Sequence, residues 1–170
     1  MQGGLHLMPL DAGLRTLPFG IGYFLASFAS ATIMQRLGPR ALTLGFAIQV
    51  LGFGTVILAV TGAWAGYLAI GLVVAGVGFG IVMPSVIKAV IGGVDRRHAG
   101  LASGIVISTF QIGAALGVAT IGGIFFSILG TGKQLGAYSH AFGVALGCNV
   151  ALLALGGVLS LWLPRQNQRL

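Results

Sequence analysis

Few residues in this chain are of types that do chemistry, and their spacing argues against most of it. His6, His98 and His140 lie far apart, in or beside polar segments, without the close His, Cys and carboxylate spacing of a metal site. The glycines at 76, 78 and 80 (GVGFG) approach a dinucleotide fingerprint, but Ile81 stands where the third glycine belongs and no strand precedes it. In GTGKQ (130–134), Ser127 occupies the place of a phosphate loop's leading glycine, and Gln134 that of its closing Ser or Thr. No span assembles a nucleophile, a base and a carboxylate or metal ligands, so the chain reads as no enzyme and as the holder of no cofactor and no metal. Cys148, the one cysteine, sits in an apolar run and permits no intramolecular disulfide.

The polarity left inside apolar stretches is uncharged: Gln49, Gln111 and Asn149. An amide side chain in hydrocarbon seeks a partner, so each is expected to face another helix or a wet cavity. That makes these three the candidates to line a substrate path, with helix-to-helix bonding as the alternative. Asp11, just ahead of an apolar run, reads as a helix N-cap and Asp95 as a loop residue. Lys88 reads as an interfacial anchor whose stem snorkels toward the headgroups, with a pathway role as the alternative. Small residues stand four apart at Gly76 and Gly80, at Gly100, Gly104 and Ser108, and at Thr109, Gly113 and Gly117, a pattern that lets helix backbones approach closely. Pro84 removes a helical hydrogen bond and is expected to bend its helix.

The elements that position these residues follow from the charges. Nine Lys or Arg and two Asp or Glu amount to 6% of 170 residues, where a soluble domain carries about 25%. Hydrophobic residues make up 56% and mean hydropathy is +1.02, so a water-soluble fold would expose large apolar patches. The uncharged residues 16–35, at about 1.5 Å of helical rise each, reach roughly 30 Å, one hydrocarbon thickness. The uncharged stretch 41–87 is too long for one span and divides at TGAWAG (61–66), with Trp64 and Tyr67 at an interface where amphipathic rings sit. Two further spans follow. The expectation is an all-α polytopic membrane protein, a single membrane domain over 1–170 with five transmembrane helices near 16–35, 41–61, 66–91, 99–129 and 141–163, and a loop at 130–140.

Alternating sides gathers Arg36, Arg40, Lys88, Arg96, Arg97, Arg165 and Arg169 on one face and leaves Arg15 and Lys133 on the other. The positive-inside rule then places the N-terminus outside and the C-terminus in the cytoplasm of a plasma membrane. The formal charge of +7 is thereby read as orientation, with the lipid bilayer as partner and no nucleic acid. The first residues contain no Lys or Arg ahead of an apolar stretch, so no cleavable signal is expected.

Three stretches carry a family resemblance. MPLDAGLRTLP resembles S-P-L-x-A-G-L-x-x-L-P through Pro9, Leu10, Ala12, Gly13, Leu14, Leu17 and Pro18. IMQRLGPRAL resembles the loop signature L-A-D-R-x-G-x-R through Arg36, Gly38 and Arg40, with Gln35 standing where Asp is frequent. HAGLASGIVISTFQIGAALGVA (98–119) resembles H-A-G-L-A-S-G-x-x-N-T-x-R-Q-x-G-x-A-L-G-V-A, with Gln111, Gly113, Ala115, Leu116 and Gly117 in register and Ile107 and Phe110 in place of Asn and Arg. These patterns belong to the major facilitator superfamily, most closely its 14-helix multidrug/proton antiporter branch.

The resemblance implies a partial C-terminal half of a major facilitator fold, since facilitator halves contain six helices in two inverted repeats. On that reading 1–10 is the end of a missing preceding helix, and the partners are the missing N-terminal helices of the same transporter. The whole protein is then expected to be a secondary active transporter of the inner (cytoplasmic) membrane, exporting small hydrophobic or cationic substrates in exchange for protons by alternating access. The loop arginines would belong to segments that repack between states, and proton coupling would reside in helices absent from this chain. The alternative is a small standalone membrane protein that docks its glycine stripes onto a partner as an assembly factor.

Overall fold

The computed structural model describes residues 9–38, 40–62, 66–130 and 135–162. Five long helices account for nearly all of them: α1 (Pro9–Leu37), α2 (Arg40–Thr61), α3 (Tyr67–Ile91), α4 (Ala99–Leu129) and α5 (Leu135–Leu161), with one 3-10 turn at Arg96–His98. All five are long and apolar enough to cross a membrane. A membrane imposes this architecture, because hydrocarbon offers no partner for a free backbone group and a helix satisfies its own.

Local chemistry sets the ends. After α1, Gly38 takes φ +55°, its N–H donates to Met34 O at 2.9 Å, and Ala41 N–H returns to Gly38 O at 3.1 Å. Only a residue without Cβ adopts that φ at no cost, and it reverses the chain directly into α2. Asp95 begins the 3-10 turn, its Oδ1 accepting from Arg97 N–H at 3.2 Å and its carbonyl from His98 N–H at 2.9 Å. Gly130, with φ +49°, closes α4 by donating to Phe126 O at 3.0 Å.

Two helix starts differ from the sequence expectation. α1 begins at Pro9, so Asp11 lies in its first turn and does not cap a helix beginning near 16. Proline at the first helical position forfeits only an N–H without an intrahelical partner, and an acid in the first turn suits the helix dipole. α5 begins at Leu135, which puts His140 inside a helix and not in a loop running to 140. Nothing between 135 and 140 (LGAYSH) forbids helix, since the stretch holds no proline. The expected interfacial position of Trp64, the loop residues 131–134 and the tail from 163 lie outside the described residues. Tyr67, half-exposed at the start of α3, is where an interfacial ring belongs.

α3 is the centre of the packing, in contact along its length with α1 and α2. α2 also packs against α5, and α4 rests chiefly on α5. Glycine makes the α3 contacts close. A Cβ on Gly78 would lie 2.5 Å from Gln49 N and 2.7 Å from Gly45 O, and one on Gly80 would lie 2.6 Å from Tyr23 O. Gly76 meets α1 backbone at Phe19 and Tyr23, and Gly22 meets Val73 from the other side. α3 thus shows one glycine face to α1 (Gly76, Gly80) and another to α2 (Gly71, Gly78). Phe79 points between them into an aromatic cluster, 6.0 Å from Phe19 and 5.5 Å from Tyr23, with Phe53 stacked on Phe19 at 6.5 Å.

Candidate functional site

Gln49 sits on the face of α2 turned to α3, its backbone nitrogen and Cβ against Gly78. Only 6% exposed, it leaves Oε1 buried with no hydrogen-bond partner among the described residues. Burying an unpaired amide oxygen costs about 1–3 kcal/mol, so this side chain is held at a price in stability. Asn149 is half-buried on α5, in the stretch between Gly143 and Gly156 that runs along α2. Gln111 is exposed on α4.

The three amides sit on different helices, yet they share a depth. Each lies near the middle of its helix: Gln49 in 40–61, Gln111 in 99–129 and Asn149 in 135–161. The helix contacts align these middles. Thr43 bonds Ser160 and Gly143 meets Thr61, which sets α5 antiparallel to α2, while Phe125 against Tyr138 sets α4 antiparallel to α5. Extended at about 1.5 Å per residue, these registers bring all three amides into one layer roughly two helical turns thick.

α4 differs from the other helices. Among its described residues only Val106 and Leu129 are buried, and a Cβ on Gly100, Gly104, Gly113 or Gly117 would meet nothing within 4 Å. These four glycines touch no neighbouring helix among the described residues, whereas Gly76 and Gly80 are in backbone contact with α1. Gly104, Ser108, Gln111 and Ala115 recur at helical spacing and form one exposed stripe of small and polar residues. Beside it runs an apolar stripe of Leu101, Ile105, Ile112 and Leu116, also exposed. The apolar stripe suits lipid, but an amide set among glycines does not.

Sequence reasoning missed the contact that fixes α2 to α5. Ser160 is buried and donates its single hydroxyl proton to Gly157 O at 2.6 Å. The 2.7 Å bond between Thr43 and Ser160 must therefore run from Thr43 Oγ1 to Ser160 Oγ. Phe46 fills the notch left by Gly156 and Gly157 beside it. A cavity of about 420 Å³ opens at the end of α2 near the start of α3, lined by Thr55, Leu58, Ala59, Thr61, Gly62 and Tyr67, away from the amide layer.

The loop residues Arg36 and Arg40 are exposed on either side of Gly38, and Lys88 is exposed in the last turn of α3. Among the described residues no group of three or more His, Cys, Asp or Glu could hold a metal ion.

Five membrane-length helices, with three amide side chains in one layer near their middles, define a polytopic helical membrane protein. The chain belongs to the Major Facilitator Superfamily, whose family model matches residues 1–169. That is a family of transporters and not of enzymes. It is 29% identical over 136 residues to the probable actinorhodin transporter of Streptomyces coelicolor, covering 77% of this chain and 24% of that protein. A multidrug efflux pump of Mycolicibacterium smegmatis is 29% identical over 126 residues, covering 74% and 25%. A puromycin resistance protein of Streptomyces alboniger is 27% identical over 175 residues, covering 94% and 35%. The chain thus spans about a quarter to a third of the length of these relatives. No solved structure matches it significantly.

Proposed function

We propose that this chain forms the C-terminal part of a drug/proton antiporter of the cytoplasmic membrane that works by alternating access. The observation that carries the reading is the exposed small-residue stripe of α4 with Gln111 at its centre, at the same depth as Gln49 and Asn149. An amide at mid-bilayer needs protein or a wet cavity opposite it, and substrates of such transporters are handled near the midplane. In this reading the stripe faces the path and the N-terminal helices of the complete transporter, and Gln111 contacts substrate. The names of the relatives, which concern actinorhodin, multidrug efflux and puromycin resistance, support drug-like small molecules as the exported class, and hydrophobic or cationic ones are the part of it proposed here.

The orientation proposed is N-terminus outside and C-terminus cytoplasmic, from the excess of Arg and Lys at the end carrying the α1–α2 turn. Neither carboxylate lies mid-membrane, since Asp11 is in the first turn of α1 and Asp95 lies between α3 and α4, so proton coupling is assigned to helices outside this chain. The test is Gln111→Ala in the complete transporter, with surface expression and efflux of several dyes measured together. A changed order of preference among dyes at normal expression supports substrate contact. An equal loss for every dye, in step with lower expression, contradicts it.

A further inference from the structure

The cations at one end of the bundle outnumber the groups that could neutralise them. Arg36 lies in the last turn of α1, Arg40 opens α2 after the Gly38 turn, and Lys88 lies in the last turn of α3; all three are exposed. The packing brings them within about a turn and a half of one another along the bundle. Gly45 of α2 touches Ile81 and Val82, so five residues further along this antiparallel pair Arg40 stands level with Val86 and Ile87, within half a turn of Lys88. Gly80 of α3 touches Tyr23 and Ala26 of the parallel helix α1, which carries Lys88 to the level of Ala31 to Met34, about one turn from Arg36.

The whole chain has two carboxylate side chains. Asp11 is at the opposite end of α1, and Asp95 accepts the Arg97 backbone N–H beside another exposed cation. Gln35, exposed next to Arg36, is neutral. Three cations from three helices, at the ends of membrane-length segments, therefore face the depth at which lipid phosphates lie.

We propose that this end of the bundle, through Arg36, Arg40 and Lys88, binds the headgroup of an anionic phospholipid. Arginine forks pair with phosphate oxygens bidentately, and basic residues gathered at a bilayer surface attract acidic headgroups. The lipid does for these arginines what a carboxylate in the turn would otherwise do, neutralising them without fixing them to one helix. The inference rests on the membrane fold and the charges, and stands apart from the transport reading.

The test is native mass spectrometry of the full chain extracted from bilayers holding equal phosphatidylglycerol and phosphatidylcholine, with the retained lipid counted. Phosphatidylglycerol is expected in clear excess, with retention falling as salt rises and unaffected by inorganic phosphate. Arg36→Gln, Arg40→Gln and Lys88→Gln should each lower it by about fivefold, the weight of one basic residue at a membrane surface, while Arg15→Gln at the other end leaves it unchanged. Equal retention of the two lipids, retention indifferent to salt, or displacement by inorganic phosphate alone would each overturn the proposal. The salt series on the unsubstituted chain decides the matter even if a variant fails to fold.

Discussion

Gln49 and the Thr43–Ser160 pair show two ways a polar side chain lives in this bundle. Gln49 leaves an oxygen buried and unpaired, so Gln49→Met, of similar length, is expected to stabilise the chain by about 1 kcal/mol, measured by unfolding in a mixed-micelle denaturant series. In the complete transporter the same change should reduce efflux if the amide finds its partner in another state. The Thr43–Ser160 bond is satisfied, and a double-mutant cycle with Thr43→Val and Ser160→Ala should give a coupling of about 0.6 kcal/mol, the usual size for polar pairs between membrane helices. A coupling of zero would mean the two hydroxyls merely coexist. The amides were legible in the sequence because an amide in an apolar run has no local use. Thr43 and Ser160 were not, because most hydroxyls here, including Ser27, Thr55, Thr61, Ser85, Ser103 and Thr109, bond a carbonyl of their own helix, and residue type does not tell which one reaches across.

Among the helices, the same small-residue pattern serves two ends. Gly78 and Gly80 are pressed against backbone, so Gly78→Ala must push α2 from α3 and is expected to cost about 1–3 kcal/mol in the same unfolding measurement. Gly104→Ala, with open space around it, should leave the stability of this chain unchanged or slightly raised, since alanine is the better helix former. Spacing alone reads both stripes as packing seams. What separates them is which neighbours the fold supplies, and α4 has α5 along one side and little else among the described residues. Most helix limits were legible because the charges mark them. The start of α5 was not, since LGAYSH carries neither a charge nor a proline to mark a boundary.

For the whole molecule, five apolar helices follow directly from the scarcity of charge, and the close contacts of α3 with α1 and α2 follow from its glycines. The chain alone offers no carboxylate at mid-membrane and only one wall around the amide layer, so proteoliposomes containing these 170 residues alone are expected to show no proton-driven dye export. A reporter fused after Leu170 is expected on the cytoplasmic side, and its recovery outside would reverse the assigned orientation.

The central claim, that the Gln111 face of α4 borders a water-accessible path, is tested most directly by cysteine accessibility in the complete transporter with Cys148 replaced by serine. Single cysteines at Gly104, Ser108, Gln111 and Ala115 should react with a membrane-impermeant thiol reagent and be protected by substrate, while those at Ile105, Ile112 and Leu116 stay unreactive. Equal reactivity of the two stripes, or labelling only at Ile105, Ile112 and Leu116, would contradict the account.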